Sequence, residues 1–510
     1  MRASRSALVI WLAALPLAGP APVSGQTAAN RAVRAYHRAN QKAILDELVG
    51  FLRLPNVASD LEAIHHNADV LTEMMERRGI ATRQLSTPGA PYVFGELQAP
   101  GATTTVLFYA HYDGQPVDPD KWSEHDPFSP VLRDAALEAG GRIIPYAEQA
   151  SFDPDWRIYA RSASDDKAPI VALLVALDAL EAAGLRLQAN LKFLFEGDEE
   201  AGSPNLAWLA REHGELLAAD LVVAADGPSD PSGRPTLYFG ARGITGVEMT
   251  VYGPLRPLHS GHYGNWAPNP AMRLAQLLAS MKDPESGRVL VKGFYDDVVP
   301  LSDFEKAALA DAPNDDERQL HAFAMSGSEM EGSRFTLINL PSLNVRGLRS
   351  GWVGDEARTI VLDRAIVSLD LRLVKNIDPA EQIGKLAAHI ERQGYHIVSG
   401  EPDVELRRRH PKLVRIVSSD GYPAFRTSMD LPVAKRLIEV IEASTGQRAV
   451  KLPTLGGSVP LYVFTDILGI PTVGIPTVNH DNNQHSPNES LRLGNLWSGI
   501  EILSSAMLMN

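Results

Sequence analysis

From about residue 30 to residue 240, short apolar runs that read as strands alternate with segments that read as helices, and this alternation restricts the chain more than any other feature. Residues 43–54 have helical spacing, 104–110 are strand-like, 170–183 form an Ala/Leu-rich helix, and 191–195 and 221–225 are again strand-like. Strands separated by helices predict an α/β fold with a mostly parallel central sheet.

Between about residues 243 and 415 the pattern shifts to alternating strands, 246–252 and 365–373, interleaved with helices over 270–281 and 379–393. That texture predicts a smaller α+β domain. The last stretch returns to the first style, with a helix near 431–444 and apolar strand-like runs near 462–468 and 472–475. The simplest organisation is one domain built from 30–242 and 416–510, interrupted by a second over 243–415. A length of 510 residues agrees, since it exceeds what one ordinary core serves.

Residues 1–25 read as an export leader, with Arg2 and Arg5 ahead of an apolar run from 7 to 15, then small residues and a cleavage point after Gly25. The run is too short to span a bilayer, so the expectation is a periplasmic or secreted protein with no membrane insertion. A buried N-terminal helix or a retained anchor is the other reading. The chain has no cysteine, so disulfides are excluded and any metal site must be built from His, Asp and Glu. A formal charge of −14 argues against nucleic acid or an anionic membrane as the main partner.

Acidic and histidine clusters stand directly after the apolar runs. VLFYA leads into His111-Tyr112-Asp113, FLFEGD into Glu199-Glu200, VVAA into Asp226, and a loop after the last run carries His485-Ser486-Pro487-Asn488-Glu489. A fifth cluster, Ser164-Asp165-Asp166-Lys167, precedes the long Ala/Leu-rich helix. In open α/β sheets the carboxyl ends of strands are where ligands bind. Two divalent cations held about 4 Å apart repel, so a site for them needs several carboxylates, one of them shared, with imidazoles completing each shell. Zinc suits such donors, and manganese or cobalt also fits. The Glu199-Glu200 pair suits a division of labour in which one carboxylate holds metal and its neighbour takes a proton from water.

The ordered set YAHYDGQP, ARSASDDKAP, FEGDEEAGS, VVAADGP, HSG, GGSVP and HSPNE resembles metallopeptidase family 20, the group of carnosinase-like dipeptidases, di-zinc aminoacylases and glutamate carboxypeptidases. The likeness runs from about residue 35 to the C-terminus. It implies a di-zinc catalytic domain with an inserted lid that also contributes to a homodimer. Asp165 would bridge two metals, with His111 and Asp226 completing one site and Glu200 and His485 the other. Glu199 would be the general base, and Asp113 would orient His111. His259, in His259-Ser260-Gly261, would polarise the scissile carbonyl, often across a dimer interface. Arg372 would grip a substrate carboxylate, and Gly456-Gly457-Ser458 resembles the substrate-binding glycine loop. His480 is a runner-up ligand beside His485.

Two features depart from the family pattern. Ala168 replaces the usual glycine after Asp-Asp-Lys, and residues 132–156 carry an insertion expected to form a loop near the metal cleft, where loops set substrate choice. The expected activity is hydrolysis of the amide bond of a dipeptide or other short peptide, with an N-acyl-amino-acid amidohydrolase or a carboxypeptidase as near alternatives. A non-catalytic binding protein would be expected to lack the base or a ligand, and a scaffold would not need the acidic clusters.

Overall fold

The computed structural model describes residues 24–510. Eight strands form the main sheet in the order Ala81–Leu85, Tyr92–Leu97, Asn190–Glu196, Thr105–His111, Leu221–Ala224, Thr472–Gly474, Thr236–Tyr238 and Val450–Leu452. The strands from Asn190–Glu196 to Thr472–Gly474 pair parallel, as expected of apolar runs buried on both faces. Towards the edges the sheet is mixed, because Tyr92–Leu97 runs antiparallel to Asn190–Glu196 and Gly474 meets Tyr238 antiparallel. Gly474 is required there, since a Cβ would stand 1.8 Å from the Tyr238 ring.

The helix Lys167–Ala182 is buried on nearly every side, which explains its uniformly apolar sequence. It packs against the C-terminal helix Leu493–Met507, and Val33 of the helix Ser24–Ala39 joins the same core. The two ends of the chain therefore close one hydrophobic unit.

A second, five-stranded sheet has the order Ser342–Arg349, Arg364–Leu373, Gly243–Tyr252, Leu413–Ser418 and His396–Val398. Helices Pro270–Ala279 and Pro379–Arg392 cover one face, burying Val247, Met249, Leu369, Leu274 and Leu386 together. Along Arg364–Leu373 every second residue is buried, so the alternate set, including Asp370 and Arg372, lines the other face. The segment between these strands does not stay on its own sheet. Ala308 and Phe335, from helices Asp303–Asp311 and Arg334–Leu337, pack into the cores that flank the main sheet.

Two expectations change. The apolar run at 462–468 is a π-helical turn, Val463–Ile467, not a strand; a short apolar run has no periodicity to separate the two, and here Phe464 turns inward to meet Tyr109 edge-on at 5.4 Å. The insertion at 132–156 is partly ordered into strands, with Val131–Arg133 and Ile143–Ile144 joining Arg157–Tyr159 and Ser490–Arg492 in an antiparallel sheet. It reaches the loop before His485, where Asn483 Nδ2 donates to Glu138 Oε1 at 3.2 Å. Residues 1–23 of the expected leader lie outside the described residues, and the described chain opens with the helix Ser24–Ala39. Among the described residues, no helix is long and apolar enough to cross a membrane.

Leu173 lies at the centre of the Lys167–Ala182 helix with 0% exposure. Leu173→Ala should lower unfolding stability by about 2–5 kcal/mol, read as a reduced denaturant midpoint with an unchanged slope.

Candidate active site

Each expected metal ligand sits where a strand or helix ends at one edge of the main sheet. His111 ends the strand Thr105–His111, Glu200 follows Asn190–Glu196, and Asp226 follows Leu221–Ala224. Asp165 lies just before the helix Lys167–Ala182, and His485 is brought in by the loop that precedes Ser490–Arg492. The decisive contact is made by Asp165. Its Oδ1 lies 3.0 Å from His111 Nε2 and its Oδ2 lies 3.0 Å from His485 Nε2. Glu200 Oε2 is 3.3 Å from the same His485 nitrogen, and Glu199 Oε2 is 4.0 Å from His111 Nε2.

Two clusters of possible ligand atoms result, His111 with Asp166 and Asp226, and Asp165 with Glu200 and His485, each within 4.8 Å. Asp166 is the member that motif reading misses. Its Oδ2 accepts the His111 backbone N–H at 3.2 Å, while its Oδ1 is buried without a partner.

The electrostatics of these groups call for cations. Burial, then the charges of Asp165 and its neighbours, push Glu200 up to about 7 and Asp226 up to about 6. Glu199 is held well above the usual carboxylate range by burial, reinforced by Asp226 and Glu200. Burial alone would lower His111, but contacts with Asp113 and Asp165 outweigh it and raise the imidazole. Crowded carboxylates, one with an unpartnered oxygen, completed by two imidazoles, are the donor set that a pair of divalent cations fits. Because Glu200 and Asp226 retain protons near pH 6 without metal, loading metal must expel them. Calorimetric titration at pH 6 in two buffers of different ionisation enthalpy should report net proton release, and the release should shrink by pH 8.5, where both groups are already ionised.

Other residues hold the ligands in place. Asp113 is fully buried, 3.3 Å from His111 Nδ1, and its two oxygens accept the backbone N–H groups of Glu199 at 3.2 Å and Glu200 at 2.9 Å. Gln115 Nε2 donates to Glu200 Oε2 at 2.7 Å. Lys167 is buried and donates to the carbonyls of Phe51 and Leu54, both at 2.9 Å, tying the Asp165 turn to the C-terminal end of the helix Gln41–Leu52. Glu489 is the most heavily used of these groups and has no assigned role in the motif reading. It accepts from Arg161 Nη1 at 2.7 Å, from the backbone N–H groups of Ser162, Ser164 and Asp165, and from Ser164 Oγ. Glu489→Ala would leave the Arg161 charge buried and unpaired, so we expect a loss of about 3–5 kcal/mol in stability, with weakened metal retention in equilibrium dialysis of the folded fraction.

Arg372, Gly457 and Ser458 also come together. Arg372 Nη1 donates to Ser458 Oγ at 2.7 Å, Asp370 lies 3.5 Å from Arg372 Nε, and Gly457 O accepts the Arg242 N–H at 3.1 Å. Tyr422, which motif reading also misses, lies within electrostatic reach of both Glu199 and Arg372. His259 is different. It is exposed on the short strand Leu258–His259, its Nδ1 accepts from Gly261 N–H at 3.1 Å, and its ring lies 4.8 Å from that of His262. Its described contacts do not include any of the metal-ligand candidates. His480 is likewise exposed and joins neither cluster.

With this geometry in hand, the comparison with known proteins is decisive: residues 107–509, most of the chain, match Peptidase family M20/M25/M40. The chain belongs to the M20 peptidase family. It is a metallopeptidase with the M20 fold. The Cys-Gly metallodipeptidase of Schizosaccharomyces pombe is 26% identical over 457 residues, spanning 88% of this chain and 89% of the relative. Human Beta-Ala-His dipeptidase is 26% identical over 433 residues, spanning 83% and 78%. Among solved structures, an M20 family metallo-carboxypeptidase from Sulfolobus solfataricus is 30% identical with a TM-score of 0.74, covering 91% of this chain and 98% of that one. The family is dinuclear metal-binding, which agrees with the two ligand clusters. The expectation of export to a periplasmic or secreted location is corrected by the relatives, because the fungal Cys-Gly dipeptidases are of cytosolic type.

Proposed function

We propose that this chain is a dipeptidase that hydrolyses the amide bond of dipeptides or other short peptides with two divalent metal ions, zinc first among them. The observation that carries the reading is the Asp165 carboxylate lying between His111 and His485, with Glu199 beside it. His111, Asp165 and Asp226 would hold one cation and Asp165, Glu200 and His485 the other. Cations bound there supply a Lewis acid for the scissile carbonyl and bring the pKa of the attacking water towards neutrality. Glu199 then accepts a proton from that water and delivers it to the leaving amine. Its environment suits the second task, because burial favours its protonated form.

Arg372, with Ser458 against its guanidinium, would take the substrate's free carboxylate. Cys-Gly and Beta-Ala-His dipeptidases among the relatives favour a dipeptide substrate. The 30% identical metallo-carboxypeptidase supports release of a C-terminal residue from longer peptides as the second reading.

We further read residues 30–242 and 416–510 as the catalytic domain and 243–415 as a lid that pairs two copies. Support comes from Leu255, Trp266 and Met272, which are 62%, 80% and 61% exposed on the unit that carries His259. In such a homodimer the exposed His259 would reach the partner's cleft and steady the developing oxyanion.

The test is a panel of dipeptides, N-acyl amino acids and longer peptides assayed with metal-stripped protein and after adding zinc, manganese or cobalt. Dipeptide cleavage should require metal. Glu199→Gln should keep its bound metal, measured by elemental analysis, and lose about 10²–10⁴-fold in kcat. Full turnover in that variant would remove Glu199 from the mechanism, and silence of folded, metal-loaded protein towards every peptide would remove the peptidase reading.

A further inference from the structure

The segment between the second-sheet strands, where it crosses onto the main body, encloses a cavity of 440 Å³ whose walls include Leu320, Phe323, Met325, Met330, Leu337 and Leu340. That volume falls in the range of small-ligand pockets. Arg242, only 8% exposed, is among the residues that line it. Arg242 Nη2 donates to Leu340 O at 2.8 Å and to Ser342 Oγ at 2.9 Å, while its Nε is buried without a partner. No side-chain carboxylate is hydrogen-bonded to this guanidinium, and Asp370 is the acidic group that acts on it from nearby. The two carboxylates at the rim are engaged elsewhere, Asp316 by the Arg334 N–H at 3.1 Å and Glu329 by Lys282 at 2.5 Å.

This cavity adjoins the carboxylate end of the cleft. Ser342 is the cross-strand partner of Arg372, so Arg242 and Arg372 flank one serine on the same sheet face. The Arg242 backbone N–H donates to Gly457 O, next to Ser458, which Arg372 itself contacts. On the other side, Ile338 comes within van der Waals distance of Gly456, 3.9 Å from where a Cβ would be. Burial, and the nearby Arg372 charge, push the Arg242 guanidinium down to about 10, with Asp370 working against them. A mainly apolar cavity that reaches a carboxylate clamp through Ser342 has the chemistry of one terminal amino acid: a carboxylate with a bulky hydrocarbon beside it.

We infer that this pocket receives the apolar side chain of the residue carrying the substrate's free carboxylate, so that the enzyme prefers peptides ending in a large aliphatic or aromatic residue. The inference rests on the peptidase reading and on Arg372 as the clamp.

The experiment compares kcat/KM of the metal-loaded enzyme for Ala-Gly, Ala-Leu and Ala-Phe. Ala-Leu and Ala-Phe should exceed Ala-Gly by about tenfold or more, the discrimination an apolar pocket commonly achieves. Leu320→Trp and Met330→Trp, at half-buried positions in a largely exposed segment, fill the chamber and should each cut the Ala-Phe to Ala-Gly ratio by about tenfold. Cleavage of all three substrates at similar kcat/KM by the unmodified enzyme would overturn the pocket and leave the peptidase reading standing. A ratio unchanged in both variants would overturn it in the same way. Failure to cleave any of the three would remove the pocket together with the reading on which it rests.

Discussion

One carboxylate placed between two imidazoles organises this protein. Asp165 meets His111 on one side and His485 on the other, so a strand end from the first third of the chain and a loop near its end must converge on a single turn. Much of the polar interior is arranged around that turn. Glu489 accepts three backbone N–H groups from it, Lys167 anchors it to a helix end, and Asp113 holds the Glu199-Glu200 backbone against His111. Without cations, the carboxylates crowded there repel each other and hold protons. The free energy that keeps them assembled has to come from the apolar layers around them, in which Lys167–Ala182 and Leu493–Met507 are buried almost completely.

The cleft has a polarity that results from having two sheets. Strand ends of the main sheet supply most of the carboxylates and imidazoles proposed to hold metal and to transfer protons. The half-covered face of the second sheet supplies Arg372, and Arg242 below it, as fixed positive charge. The proposed substrate, with a carboxylate at one end and an amide bond near it, would lie between them. The segment 303–340 leaves the second sheet to pack on the main body, and thereby adds apolar surface where the substrate's terminal side chain would lie.

Much of this is legible from periodicity and from the residues standing just beyond each apolar run. The central strands are buried on both faces, so they read as unbroken apolar stretches, and the polar groups past their ends had to be ligands or turns. The helix Pro379–Arg392 and the strand Arg364–Leu373 are readable because each alternates with its own period. Legibility fails where a pattern is too short to have a period, as at Val463–Ile467. Asp166 escapes motif reading because the pair Asp165-Asp166 gives no hint of which oxygens turn inward. Glu489 belongs to the HSPNE motif, yet nothing in its sequence neighbours reveals that it faces Arg161 and three amides.

The sequence by itself determined the chemical inventory: the acidic and histidine donors, their position at strand ends, the absence of cysteine and hence of disulfides, and the presence of a second, alternating domain. These are local properties, set by side-chain chemistry and by periods of two and about 3.6 residues. Only the tertiary structure decided which donors share a cation site, that His259 stands in solvent away from the metal-ligand candidates of its own chain, and that Arg242 and Arg372 flank one serine. Those relations join residues far apart in the chain, and their distances are set by how two sheets and their covering helices pack, which no local pattern encodes.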